Sequence, residues 1–382
     1  MRAMNIGKQN DDSLLINALQ LFKVDPFNPE SVKKAFALAE KEAPLVVDFL
    51  KEKYPELAPV TFGGIAPELY IRETRHMKGE YRLSIVDLLE NREHWDQIGF
   101  GSYRVDIQST SFDDRGFELF SPLQYGIPFR SLVPQEVDGM LVVGKAASYD
   151  SLAHGSARVI PTGMAAAQAA GAAVRIAMDE NITIRELSQS KVHIAQLQQR
   201  LQEQGVKLDS YEGEKPKYME HPAYEGLKTA VSLGVAVASR EDDRGRLLDF
   251  ELDMASNPQR LADQVEAIQS IYKGRFTGEG ESTRTLEELQ RDQGKHQVKH
   301  YGEDDDKHQI ELQSERSLTM AQALFVLGTA MGEQVTLDNV LVHFESKGYI
   351  TPETIQFVQN KDRLTNGEVY MIMKDWLARL LQ

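Results

Sequence analysis

The run from Gly144 to Val174, GKAASYDSLAHGSARVIPTGMAAAQAAGAAV, decides how the chain is read. Before it stands Met140-Leu141-Val142-Val143, short, apolar and partly β-branched, which predicts a buried strand ending at Gly144. A polar loop is expected next, holding His154, Gly155, Ser156 and Arg158. Pro161-Thr162 then opens a helix built from small residues, Ala165 to Ala167 and Ala169 to Ala173 with Gly171 among them. Such a helix lets a neighbouring backbone come close. Its first N–H groups, around Thr162, Gly163 and Met164, favour negative charge. Two readings follow: a tightly packed α/β unit with no ligand, or a ligand site at the helix mouth.

HGSARVIPTGMAAAQAAG, from His154 to Gly171, resembles the C-terminal signature of FAD-dependent oxidoreductases related to heterodisulfide reductase A-like flavoproteins. The resemblance implies a flavin over this stretch. Gly144 would be the strand end, with Lys145 beside it, and His154, Gly155, Ser156 and Arg158 the flavin loop. Thr162, Gly163 and Met164 would face the pyrimidine edge, where reduced flavin carries negative charge that a helix dipole stabilises. IRETRHMKGEY, from Ile71 to Tyr81, is similar to a second signature of the family. By that resemblance Arg72 or Arg75 holds an anionic substrate and His154 moves a proton or hydrogen-bonds the flavin; a structural histidine is the alternative. Read from the residues alone, the charges around Arg72 and Arg75 also suit a surface ladder of ion pairs. Tyr125 and Arg130 fall on the family's return path from the substrate region, where Arg130 is either a carboxylate ligand or a structural arginine.

Composition narrows the function. The 382 residues carry a formal net charge of −15, which argues against nucleic acid or an anionic membrane as main partner. There is no cysteine, so disulfides, thiolate catalysis and a cluster held by this chain's thiolates are excluded. No run is apolar and long enough to span a bilayer, and MRAMNIGKQNDD has no apolar core of a signal peptide. No G-x-G-x-x-G follows a strand; Gly99-Phe100-Gly101 and Gly278-Glu279-Gly280 lack the third glycine. In the family that turn cradles the pyrophosphate. The expectation is therefore a C-terminal portion of a flavoprotein, whose FAD binding is weak or absent without the N-terminal segment. No metal site is expected; His296, His300 and His308 are spaced polar residues with no defined surrounding shell.

Elsewhere, Asn28-Pro29-Glu30-Ser31 starts a helix with Val32, Ala35, Phe36 and Ala39 on its apolar face, and Pro44 is expected to interrupt it. Leu69 to Arg75 and Gly101 to Gln108 read as strands, and Val86 to Leu89 as a short helix with Trp95 behind it. Ile182 to Leu187 reads as an extended linker, and Val192 to Gln204 as a helix stopped by Gly205. After about Lys215 the helix starts at His221, Leu318-Thr319-Met320 and Leu364-Thr365-Asn366 weakly resemble S-layer homology repeats, with Met320 and Asn366 where that family has a polymer-binding arginine.

The expected fold class is α/β: an incomplete Rossmann-type FAD domain with an α+β substrate region, plus a mostly helical C-terminal domain. The expected segments are 1–135 (substrate or cap region), 136–205 (C-terminal part of the FAD domain), 206–216 (linker) and 217–382 (helical, S-layer-like), with a charged insertion at about 272–315. The first function is hydride transfer between a small organic substrate and FAD. The alternative is a cell-envelope protein that binds cell-wall polymer and retains a cofactor-less oxidoreductase region. The compartment follows whichever holds: cell envelope for the second, cytoplasm otherwise.

Overall fold

The protein is described by a computed structural model covering residues 5–111, 116–272 and 317–380. The expected insertion, with His296, His300 and His308, lies outside the described residues apart from Tyr272. The chain forms two compact units, one of residues 1–77 and 106–117 and a larger one of residues 78–105 and 118–382.

In the first unit, β1 (Asn5–Lys8) and β2 (Leu14–Asn17) form an antiparallel hairpin. Helix α1 (Pro29–Lys53) follows. Asn28 caps it, its side-chain oxygen accepting from the N–H of Glu30 at 3.0 Å, and Pro29 fills the first turn, where a missing N–H costs nothing. Pro44 does not interrupt this helix, against expectation. The carbonyl that a proline at 44 cannot bond is that of Glu40, an exposed residue open to solvent, so the lost bond costs little. Leu69 to Arg75 is not a strand either but irregular chain. Its charges find local partners: Arg72 Nη1 lies 3.7 Å from Asp106 Oδ2, and His76 Nε2 lies 2.8 Å from Glu73 Oε1.

The second unit begins with α2 (Ile85–Leu89), started by a capping box in which Ser84 and Asp87 bond each other's backbone N–H. Strand β3 (Gln97–Gly101) lies earlier than the strand read at Gly101 to Gln108, where only β4 (Asp106–Ile107), paired with β5 (Phe117–Glu118), forms. β3 pairs antiparallel with β6 (Tyr125–Pro128). Then come α3 (Ser151–Ala157), α4 (Ile160–Glu180), α5 (Ile184–Gln189) and α6 (Lys191–Glu203). Ile182 to Leu187 is thus not an extended linker: Thr183 and Glu186 make a capping box that starts α5. Gly205, at φ 90°, follows α6 as expected. Helix α7 (Tyr224–Ser232) precedes the hairpin of β7 (Arg240–Glu241) and β8 (Leu247–Asp249). Helices α8 (Pro258–Ile271), α9 (Met320–Ala330), α10 (Val340–Lys347), α11 (Pro352–Phe357) and α12 (Asn366–Leu380) complete it.

The fold is thus a mixture of helix and strand. Among the described residues every sheet has two strands, so no Rossmann-type parallel sheet occurs there. Met140 to Val143, read as a buried strand, is unpaired chain with Met140 and Val143 exposed. It has no neighbouring strand; Val142 donates its N–H to the carbonyl of Leu132 at 2.9 Å. No helix among the described residues is long and apolar enough to cross a membrane.

Candidate functional site

Helix α4 organises the region as the sequence suggests. Thr162, Ala166, Ala169, Ala172, Ala173, Ile176 and Ala177 face inward. Small side chains let the helix sit on β3: a Cβ added to Gly99 would come within 3.2 Å of the Ala165 methyl. At its N-terminal end lies the tight turn Gly144–Ala146. Gly144 has φ 72°, which favours glycine, and a Cβ on Gly163 would lie 3.7 Å from the Gly144 Cα. Two glycines thus face each other at the helix mouth.

The donors there differ from those expected. The helix begins at Ile160, so Gly163 already donates its N–H to Val159 at 3.1 Å, and Met164 is one residue deeper. Pro161 has no N–H, which leaves Ile160 and Thr162 as first-turn donors. The first turn holds no acidic side chain, and Lys145 is exposed on the facing turn. This is a donor set suited to an anionic edge. Met164 is 67% exposed and points away from the packed face.

The expected flavin loop is not a loop. His154, Gly155 and Ser156 lie inside α3 and are buried; Arg158, half-buried, is its C-terminal cap. Asp150 causes this. One carboxylate oxygen caps α3 through the N–H of Ala153 at 2.6 Å, and the other accepts the N–H of Ile85 at 2.8 Å, tying α3 to α2. Burial, opposed by these bonds, pushes the Asp150 carboxyl up. The Ser156 hydroxyl donates to the Tyr103 carbonyl at 2.5 Å. Its single proton is then used, so at 2.7 Å Tyr125 donates to Ser156. Tyr125 is fully buried, and burial pushes its phenol well up, as it does for neighbouring Tyr149. The expected substrate ligand Tyr125 is therefore a buried bridge between β6 and α3. Tyr149 keeps a buried hydroxyl with no hydrogen-bond partner among the described residues.

A charged cluster escaped the sequence reading except for Arg130. Asp96, fully buried, receives Nε and Nη2 of Arg130 at 2.9 and 3.2 Å and also the Arg130 backbone N–H at 2.9 Å. The guanidinium lies between the rings of Tyr81 and Trp95, 5.2 and 5.1 Å from their centroids. Trp95, 41% exposed, thus covers Arg130. Tyr81 donates to Asp87 at 2.9 Å, and Arg92 bridges Asp87 and Glu90. Within this ring His94 packs edge-on against Tyr81, centroids 4.9 Å apart, with a buried Nε2 that has no hydrogen-bond partner among the described residues. All of these but Arg130 fall within residues 81–96, and the one quoted signature that touches them ends at Tyr81.

Burial, opposed by Asp87 and Asp96 and reinforced by Arg92 and Arg130, holds the His94 pKa below its ordinary 6.5. The unfolded chain then binds more protons than the folded one between the folded value and 6.5, so stability falls as pH drops through that window. Melting temperatures should decline between about pH 7 and 5, and His94→Gln should flatten that decline. A decline as steep in His94→Gln as in the wild type would rule His94 out as its source.

Arg72 and Arg75 belong to the first unit. Arg75 lies over the ring of Phe27 at 4.2 Å, and Arg72 is 5.4 Å from the Tyr70 centroid besides facing Asp106.

A family model described as FAD dependent oxidoreductase matches residues 1–201, more than half of the chain. The chain belongs to this family. Searches of curated proteins and of solved structures return no match. The FAD-dependent oxidoreductase match covers both the helix mouth and the charged cluster and ends within α6; residues 202–382 lie beyond it.

Proposed function

We propose that this FAD-dependent oxidoreductase passes a hydride between a small organic substrate and flavin, and that the flavin's pyrimidine edge lies at the mouth of α4. The observation that carries this reading is the facing glycine pair, Gly144 and Gly163, at a helix N-terminus without acidic side chains. No side chain fills the notch, and Ile160 and Thr162 supply N–H groups to a developing negative charge. Flavin, when bound, would supply the redox chemistry. The chain's own contribution is to hold and polarise it: Gly144, Lys145, Thr162 and Gly163 fit that task. His154, Gly155 and Ser156, buried in α3, fit a supporting role, setting where α3 delivers Arg158 and the start of α4. Arg72 and Arg75 would hold an anionic substrate; Arg130, engaged by Asp96, is a structural arginine in this reading.

The kinship with heterodisulfide reductase A-like flavoproteins and the segments 1–135, 136–205, 206–216 and 217–382 belong to the same proposal. So does weak affinity. The sequence has no G-x-G-x-x-G turn, and losing three charge-assisted hydrogen bonds of about 1.5–3 kcal/mol each weakens binding on the order of a thousandfold or more. The envelope reading has less support. Thr319 with Gln322 and Thr365 with Glu368 form capping boxes, which accounts for the shared Leu-Thr-x-x-Gln/Glu pattern by helix initiation. Met320 and Asn366, at the expected polymer-binding position, are buried.

Titrating FAD and following flavin fluorescence tests the proposal. Saturable but weak binding is expected. Gly163→Asp should weaken it about 10- to 100-fold, because a carboxylate would stand at the anion edge. A Cβ there meets only an ordinary contact, so the fold should survive. Unchanged affinity in Gly163→Asp would move the flavin elsewhere.

A further inference from the structure

Helix α4 buries one face and leaves an apolar stripe bare on the other. Ile160, Met164, Ala167, Gly171, Val174 and Met178 are all exposed; Ile160 is 78% and Met178 is 72% accessible. Their spacing alternates four and three residues, the seam of a coiled coil. Val143 extends the apolar surface at the helix mouth, beside Gly144. Exposed apolar side chains in one contiguous row mark an interaction surface.

The order of sizes says what covers it. The stripe reads large, large, small, small, large, large, and is symmetric about its centre. Laid antiparallel on a second α4, Ile160 meets Met178, Met164 meets Val174 and Ala167 meets Gly171, each pair twice. A two-fold contact demands this self-complementarity. Gly171 supports it independently. Glycine inside a helix is unfavourable relative to alanine, and nothing lies within 4 Å of a Cβ added at Gly171, so packing inside this chain does not require it. A second backbone crossing there does.

We propose that the exposed face of α4 is the contact of a two-fold symmetric homodimer, with Ala167 and Gly171 at the crossing. One helix pair covers less than the roughly 800 Å² per partner of a standard interface, so the dimer forms at micromolar concentrations.

The test uses the full chain in sedimentation experiments from about 1 to 200 μM, the range where micromolar association is visible. The wild type should shift from monomer to dimer. Gly171→Glu should stay monomeric with an unchanged circular dichroism spectrum, since its side chain enters open space. The absence of cysteine allows a register check. Met164→Cys and Val174→Cys chains, mixed and oxidised, should cross-link to each other more than either does to itself. A wild type that stays monomeric, as it would if another macromolecule covers this face, overturns the proposal. A Gly171→Glu chain that still dimerises, or cross-linking with no preference for the mixed pair, overturns it as well.

Discussion

Asp96→Ala is expected to cost the second unit about 3–5 kcal/mol in denaturant unfolding, the penalty for breaking a buried ion pair from one side. Asp96 is fully buried and its carboxylate accepts three N–H groups, all from Arg130. Its removal strands a guanidinium held between Tyr81 and Trp95 and leaves the Arg130 backbone N–H without its acceptor. The Arg130 side chain is 23% exposed, so water recovers part of the loss and the lower end of the range is expected. Asp96→Asn keeps an acceptor oxygen for the backbone N–H and should lose clearly less. The damage should also reach β3 and β6, since Phe129 donates its N–H to the Asp96 carbonyl just after β6 ends. A loss in Asp96→Ala below about 1 kcal/mol would mean that the pair behaves as a surface salt bridge.

Gly226→Ala is expected to cost about 3 kcal/mol, at the upper end of overpacking penalties. The added methyl would lie 2.6 Å from the Met371 nitrogen and from the Tyr370 carbonyl carbon. Both are backbone atoms of α12, so no rotamer change relieves the clash and the helices must separate. Gly367 makes the reverse approach, its would-be Cβ 2.8 Å from the Ala223 methyl. Separation would loosen Leu227 and Val231 on α7 and Val369, Tyr370 and Met373 on α12, all buried. Gly171→Ala is the matched control: the same exchange, exposed and unobstructed, should be neutral or slightly stabilising in the monomer. Equal melting temperatures for Gly226→Ala and the wild type would contradict the close crossing.

How much of this was legible depends on whether the signal was local. Helices announced by a cap and a period were found: α4 after Pro161, α6 before Gly205, α9 and α12 at their Leu-Thr starts. Gly144 and Gly163 were singled out, one as a strand end and one at a helix mouth, but that they face each other was not legible, because the approach depends on how the turn and α4 pack. The segments misread were those whose fate depends on distant partners. Met140 to Val143 has strand composition, but a strand needs a neighbour to pair with. His154 and Ser156 looked polar enough for a loop, yet Asp150 caps a helix across them and Tyr125 and Tyr103 bond Ser156 in the interior. The ring of Asp87, Arg92, His94, Asp96 and Arg130 joins two charged segments separated by more than thirty residues, so only folding reveals it. The Leu-Thr starts of α9 and α12 each form a capping box, a local signal that unrelated helices also share.

The second unit is discontinuous along the chain, which leaves it after Val105 and rejoins it at Glu118. At that crossing Val105 donates to the Phe120 carbonyl and accepts from the Leu119 N–H, both at 2.8 Å. The excursion is therefore a loop stitched at its neck. During synthesis the N-terminal stretch emerges from the ribosome well before the segment that completes its own unit, and must wait for residues 106–117. Those residues arrive only with the neck that belongs to the other unit. Neither unit is a cassette that can be cut from the gene as one continuous piece, and a deletion up to residue 77 would leave the stitched loop behind as an orphan on the larger unit.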